Sequence, residues 1–191
     1  MRLSRAFYLR STLQVARDLI GKCIVTNIKG KKTSGMIVEV EAYDGDIDPA
    51  CHAYRNRSER TEVMFWKGGH CYVYFIYGNH FCLNVVTERE GRGCAALIRA
   101  SQPLEAIELQ RSRRGKRGYN LSNGPGKLCQ ALGVTKALWG QDFTKSKKIW
   151  IEHYQTPKPS QIATSTRIGI SKAKSHPWRF YLKNNPWVSS R

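Results

Sequence analysis

The chain has 191 residues, enough for one domain that buries about 70% of its unfolded surface, and 32 Lys and Arg stand against 14 Asp and Glu for a formal charge of +18. An enzyme of neutral small molecules has no need of that imbalance, and its spread excludes a single basic tail: it recurs at Lys29/Lys31/Lys32, Arg55/Arg57/Arg60, Arg111 to Arg117, Lys145 to Lys148 and Lys172/Lys174. A folded surface for a polyanion fits best, with nine Tyr and five Trp supplying stacking groups beside the charge.

Six cysteines (Cys23, Cys51, Cys71, Cys82, Cys94, Cys129) lack C-x-x-C spacing, so they read as reduced thiols rather than as a disulfide framework or a zinc site. No signal peptide or long apolar run is visible. The fold is expected to begin almost at Met1, leaving no room for a targeting segment and placing the protein inside the cell.

In chain order, Ser11-Thr12 ahead of Leu13, Val15, Ala16, Leu19 and Ile20, closed by Gly21, predicts a helix. Cys23 to Ile28 and Gly35 to Tyr43 predict two strands joined by a basic turn around Lys29-Gly-Lys-Lys32. Period-two alternation in the second strand puts Met36, Val38, Val40 and Ala42 on one face and Ile37, Glu39, Glu41 and Tyr43 on the other. Two carboxylates there gain nothing from packing, and a strand holds a reactive group more rigidly than a loop does. Glu41 is therefore the first candidate for chemistry.

Asp44, Asp46 and Asp48 alternate like the opening of a calcium loop. Pro49 stands where that loop needs glycine and Arg55 where it needs a bidentate acid, so calcium is excluded. Arg55 to Arg60 predicts a basic exposed loop suited to phosphates. Cys71 to Tyr77 and His80 to Val86, around Gly78-Asn79, predict a hairpin with a primed turn and Tyr77 at its tip.

Cys94 to Ser101 predicts a strand that is apolar except for Arg99. A charge in such a run needs a partner or a ligand, so a structural ion pair and a functional role are both open. Pro103 to Leu109 predicts a helix start, the segment Arg111 to Arg117 an exposed loop, and Asn123-Gly-Pro-Gly-Lys-Leu128 a helix running to Leu132 and stopped by Gly133. Residues 148–152 predict a strand, 157–165 a loop, and 166–170 and 178–182 late strands. The sum is an α+β fold: a single domain over residues 1–191, a mainly antiparallel curved sheet with a protruding β-hairpin, and several short surrounding helices.

A strand-borne carboxylate, a Tyr two residues on, a His in the next loop, a Tyr-rich hairpin and an Arg in an apolar strand suggest a pocket for one flat, cationic group. An enzyme working on a nucleobase must take it out of the stack and hold it between aromatic faces. One carboxylate suffices to activate water against an N-glycosidic bond, with no metal and no cofactor.

Val38-Glu-Val-Glu-Ala-Tyr43, Asp48-Pro-Ala-Cys-His52, Tyr72-Val-Tyr-Phe-Ile-Tyr-Gly78, Phe81-Cys-Leu-Asn84, Leu97-Ile-Arg-Ala100, Asn123-Gly-Pro-Gly-Lys-Leu128, Arg167-Ile-Gly-Ile170 and Trp178-Arg-Phe180 together resemble the 3-methyladenine (alkyladenine) DNA glycosylase family. Eight blocks in one order, across nearly the whole chain, are a specific signal. The resemblance implies that Glu41 is the general base for the attacking water and that Arg99 helps to position that water. It implies that Tyr43, His52 and Tyr74 line the base pocket, that Asn84 at its floor rejects the exocyclic amine of guanine, and that Tyr77 intercalates. The implied partner is double-stranded DNA containing alkylated or deaminated purines. A monomer is expected, bound to no membrane, in the cytoplasm of a bacterial cell in association with the nucleoid, or in the nucleus of a eukaryotic one.

Chemistry agrees with these roles. A purine alkylated at N3 or N7 carries positive charge, which tyrosine faces favour by roughly 0.5–2 kcal/mol of cation–π energy and which makes the base a better leaving group. No motif places a lysine to attack the sugar, so a monofunctional glycosylase that leaves an abasic site is expected. The rivals are a helix-hairpin-helix repair protein, built on Gly124-Pro-Gly-Lys127 but needing a mostly helical chain, and a non-catalytic architectural binder, which leaves Glu41 unexplained.

Overall fold

The computed structural model describes residues 1–76 and 78–189. Its backbone is one sheet of eight strands: β1 (Cys23–Ile28), β2 (Lys31–Tyr43), β3 (Cys71–Ile76), β4 (His80–Thr87), β5 (Cys94–Glu105), β6 (Ile149–Glu152), β7 (Ile162–Ser165) and β8 (Arg179–Leu182). The path β3-β4-β5-β2-β1-β6 is antiparallel throughout, and β8 joins β2 and carries β7. Among the described residues four short α-helices surround it: α1 (Arg5–Tyr8), α2 (Thr12–Asp18), α3 (Ile107–Arg114) and α4 (Pro125–Leu132). This is the expected α+β domain, a curled antiparallel sheet with few helices.

β2 is the spine. β1 hydrogen-bonds one edge of it as far as Met36, and β8 takes over that edge from Glu39 to Glu41 while β5 holds the other. The β1–β2 turn is two residues long, Lys29 and Gly30, both at positive φ (51° and 76°). That is the primed geometry whose twist matches paired strands; pairing therefore begins at Lys31, earlier than the alternation indicates.

The expected division of β2 into two faces holds only beyond Glu39. Ile37 packs with Val40 and Ala42 in the main core, whereas Met36 and Val38 pack with Ala100 in a separate cluster. The register against β5 skips Val38 on one strand and Arg99 on the other. Such a bulge reverses the alternation phase and re-aims side chains locally, so a strict period of two fails at this point.

Three further expectations are corrected. Pro103 and Leu104 belong to β5 rather than to a helix start. Pro103 is tolerated because it pairs with Gly35 beside a register shift, on a stretch of β5 that β4 no longer flanks. The helix begins at Ile107 and takes in most of the segment expected as a loop, with Arg111, Arg113 and Arg114 in its last turn and Gly115 capping it at φ 60°. Residues 166–170 form a loop, and the strand is 162–165. By contrast, α4 spans Pro125–Leu132 with Gly133 at its C-cap, as expected.

The main core lies between the sheet and helices α2 and α4, around Leu19, Ile20, Ile24, Ile37, Leu83, Ile98, Leu128 and Leu132. On β3, β4 and β5 the alternation is clean. Cys71, Val73, Leu83, Val85, Ala96 and Ile98 face this core, which turns Tyr72, Tyr74, Cys82, Asn84, Leu97 and Arg99 to the opposite side.

Candidate active site

That opposite side lines a cavity of about 650 Å³. Its floor is sheet: Tyr72 and Tyr74 from β3, Cys82 and Asn84 from β4, Leu97 and Arg99 from β5, with Tyr43 at the end of β2. Two loops and a helix start complete the wall, with Pro49, Ala50 and His52 on one side, 168–172 on another, and Gly124 to Lys127 at the N-terminus of α4. The sequence candidates Tyr43, His52, Tyr74, Asn84 and Arg99 therefore share one cavity. Tyr77 lies outside the described residues; the last described pair of its hairpin is Ile76 with His80.

Glu41 lies behind the wall, fully buried. Its Oε2 accepts the Tyr43 hydroxyl at 2.8 Å and Arg99 Nη1 at 3.3 Å, and its Oε1 accepts the Ile168 backbone N–H at 2.7 Å. All three donor residues line the cavity. The strand fixes this arrangement because Glu41 is paired on both sides, with Leu97 on β5 and Arg179 on β8. Burial, reinforced by the Glu41 charge, raises the Tyr43 phenol well above the ordinary tyrosine range, so Tyr43 stays protonated and donates.

Glu39, two residues earlier, is equally buried but differently engaged. It accepts Arg99 Nε at 3.0 Å, Arg179 Nε at 2.7 Å, and both the backbone N–H and the hydroxyl of Ser189 at 2.8 Å. Burial works to lower the Arg99 pKa, and the charges of Glu41 and Glu39 outweigh it and raise it. Arg99 is thus the shared cation of two carboxylates, so the structural ion pair and the place in the site wall coexist in one residue.

A second ion pair supports the loop. Arg167 and Asp48 meet side by side with both side chains fully buried, Arg167 Nη2 reaching Asp48 Oδ1 at 2.8 Å and Nη1 the Ala42 carbonyl at 2.9 Å. The guanidinium lies 4.6 Å from the Tyr43 ring centre and 5.2 Å from that of Trp178. Three buried carboxylates (Glu39, Glu41, Asp48) therefore meet three buried guanidiniums (Arg99, Arg167, Arg179), the compensation buried charges require.

His52 is exposed as a residue, yet its ring stands edge-on to Tyr74 with centres 4.6 Å apart. Its Nδ1 lies 3.0 Å from the Tyr72 hydroxyl. Packing in that corner, with the charge of Arg60 adding to it, pushes the imidazole down to about 4, so it is neutral near pH 7. Burial pushes the Tyr72 phenol up to about 12. Asn84 donates from Nδ2 to the Tyr72 carbonyl at 3.2 Å, which fixes its amide at the floor.

The sequence reading missed Tyr72, Arg167, Asp48, Arg179 and Ile168 as members of this assembly. Tyr72 was discoverable, since it shares the alternation phase of Tyr74. The acidic loop splits in two: Asp48 turns inward, while Asp44 and Asp46 pair with Arg92 at 3.6 and 2.5 Å. Nothing local distinguishes these acids from one another.

An aromatic cavity backed by a buried carboxylate, in a chain of net charge +18, is the kind of site that enzymes acting on DNA bases require. The sequence pattern of the Methylpurine-DNA glycosylase (MPG) family matches residues 6–186, and the chain belongs to that family and so to the DNA glycosylases. It is 43% identical to a protein of Natranaerobius thermophilus over 99% of both chains and 45% identical to one of Methanocella arvoryzae over 99% of this chain and 96% of the other. It is 46% identical to one of Carboxydothermus hydrogenoformans over the whole of both. Each of the three is named "Putative 3-methyladenine DNA glycosylase". Among the described residues no helix is long and apolar enough to cross a membrane.

Proposed function

We propose that the protein flips alkylated purines, 3-methyladenine and 7-methylguanine among them, out of double-stranded DNA and hydrolyses their N-glycosidic bond with water activated by Glu41, leaving an abasic site. The observation that carries this reading is the buried Glu41 carboxylate seated directly behind an aromatic wall. Tyr43, Tyr74 and His52 form the faces that stack on the extruded base, and a cationic base gains most from electron-rich rings. Neutral His52 offers a hydrogen bond to the base edge without repelling a positive charge. Asn84, held by the Tyr72 carbonyl, stands where a guanine amine would clash, which narrows the substrate range.

In the reaction, water attacks C1′ of the sugar, its proton passes to Glu41, and the bonding electrons leave with the purine. The positive sugar that develops is stabilised by the same carboxylate. Of the three donors on Glu41, Arg99 holds the longest contact, at 3.3 Å, so the water enters beside it. Tyr77 fills the gap left in the duplex. Lys127 lines the cavity, but its ammonium is tied to the side-chain oxygens of Asn120 and Asn123 at 2.6 and 2.9 Å, which favours hydrolysis over amine attack. The protein acts as a monomer on chromosomal DNA in the cytoplasm.

The test is release of free 3-methyladenine from methylated duplex DNA. Wild type is expected to release it, Glu41→Gln to release none while binding the duplex nearly as tightly, and borohydride to trap no covalent adduct. Substantial turnover by Glu41→Gln, or no release by wild type, overturns the reading.

A further inference from the structure

We infer that Ser189, near the C-terminus, is a positioning residue for the excision reaction, acting on Glu41 through the relay Ser189–Glu39–Arg99. The inference rests on the reading of Glu41 as the base. Glu41, Arg99, Glu39 and Arg179 form a buried chain of alternating charge. Arg99 stands between the two carboxylates, at 3.0 Å from Glu39 and 3.3 Å from Glu41. How far it serves Glu41 depends on how well Glu39 is satisfied by other donors.

Those other donors are Arg179 and Ser189. Glu39 Oε2 accepts the Ser189 N–H, and Oε1 accepts the Ser189 hydroxyl together with the two arginine Nε groups. Arg179 in turn reaches back to the Ser189 carbonyl at 3.4 Å and to the Ser165 hydroxyl at 3.1 Å. The segment that carries Ser189 is docked beneath the β2 bulge, with Trp187 and Val188 against Met36, Val38 and Ala100. The last described residue of the chain is thereby seated on the partner of the catalytic wall rather than on solvent.

The consequence is electrostatic. Each donor to Glu39 disperses its charge and weakens its claim on Arg99. Without the Ser189 hydroxyl, Arg99 is drawn towards Glu39 and its hold on Glu41 loosens. With Glu39 made neutral, Arg99 turns wholly to Glu41. Glu41 is faced by Tyr43 on its own strand, Cys82 on β4, Arg99 on β5, Arg167 and Ile168 on the loop after β7, and Arg179 on β8; of these, the two changes reach only Arg99 and Arg179, the arginines that Glu39 holds.

The experiment is the single-turnover rate of 3-methyladenine release against pH for wild type, Ser189→Ala, Ser189→Thr and Glu39→Gln, with Glu41→Gln as control and thermal unfolding alongside. The acid limb of the Ser189→Ala profile is expected to move to higher pH, and that of Glu39→Gln to lower pH, each by about half a unit or more. Ser189→Thr, which keeps the hydroxyl, is expected to restore the wild-type limb. If Glu39→Gln does not fold, the Ala and Thr pair decides alone. Limbs that superimpose on wild type, whatever happens to stability, reduce Ser189 and Glu39 to structure and overturn the inference. A Glu41→Gln enzyme that still turns over removes the reading of Glu41 beneath it.

Discussion

The Ile168 backbone N–H reaches Glu41 Oε1 at 2.7 Å across 127 positions of sequence, and the ion pair of the preceding residue holds it there. Arg167 is drawn under the Tyr43 ring by Asp48 and the Ala42 carbonyl, so the backbone that follows has one course, over the carboxylate and into the cavity wall. Gly169, at φ 75°, lets the chain turn away immediately afterwards. One buried salt bridge thus joins the acidic loop, the Tyr43 face and a donor to Glu41.

Removing one member of that pair leaves the other charged and buried. Asp48→Asn is therefore expected to cost about 3–5 kcal/mol, which in a chain of this length lowers the unfolding midpoint by roughly 6–20 °C. Calorimetry or thermal circular dichroism reads it directly. A shift of a degree or two would mean that the Arg167 charge finds water or another carboxylate when Asp48 is gone.

What the sequence makes legible is whatever local rules decide. The alternation of β3, β4 and β5 separates core from cavity correctly from Cys71 to Arg99, because the pairings of β3 with β4 and of β4 with β5 carry no register shift. The alternation of β2 fails at Val38 because a bulge is a property of two strands together, invisible in either one. Ile168 and Ile170 mimic a strand in a segment whose shape is set by Arg167 meeting Asp48, 119 positions away. The arginines after Leu109 look like a solvated loop because they bring no apolar period. They stay helical because Glu108 pairs with Arg111, Gln110 is buried against the Ser34 carbonyl at 3.0 Å, and Gly115 caps the end. Glu41 and Glu39 have the same signature in sequence, and only their partners separate them.

His52 gives a pH prediction. Its folded-state value of about 4 lies below the ordinary 6.5, so the unfolded chain binds the proton more readily than the folded one. The stability tied to neutral His52 is present above about pH 6.5 and is lost as pH falls from there towards 4, less steeply than the full shift implies because the residue is exposed at its outer edge. Histidine C–H resonances followed by NMR are expected to place the His52 midpoint near 4. A midpoint near 6.5 would mean that the ring leaves the Tyr72 and Tyr74 corner in solution.

The charge around the cavity mouth makes a separate claim, on binding rather than on chemistry. Lys172 lines the cavity on the loop that carries Ile168 and is solvent-exposed; on the proposed reading, a duplex presenting a flipped nucleotide brings its phosphates there. Each phosphate neutralised releases condensed counterions, so log K against log salt has a slope of about −0.9 per contact. Wild-type binding to a methylated duplex is expected to fall steeply with salt. Lys172→Ala is expected to flatten that slope by about one while leaving lesion preference unchanged, since a phosphate contact carries no base information. Fluorescence anisotropy over a salt series, with damaged and undamaged duplexes side by side, measures both. An unchanged slope with altered lesion preference would move Lys172 from the backbone to the base.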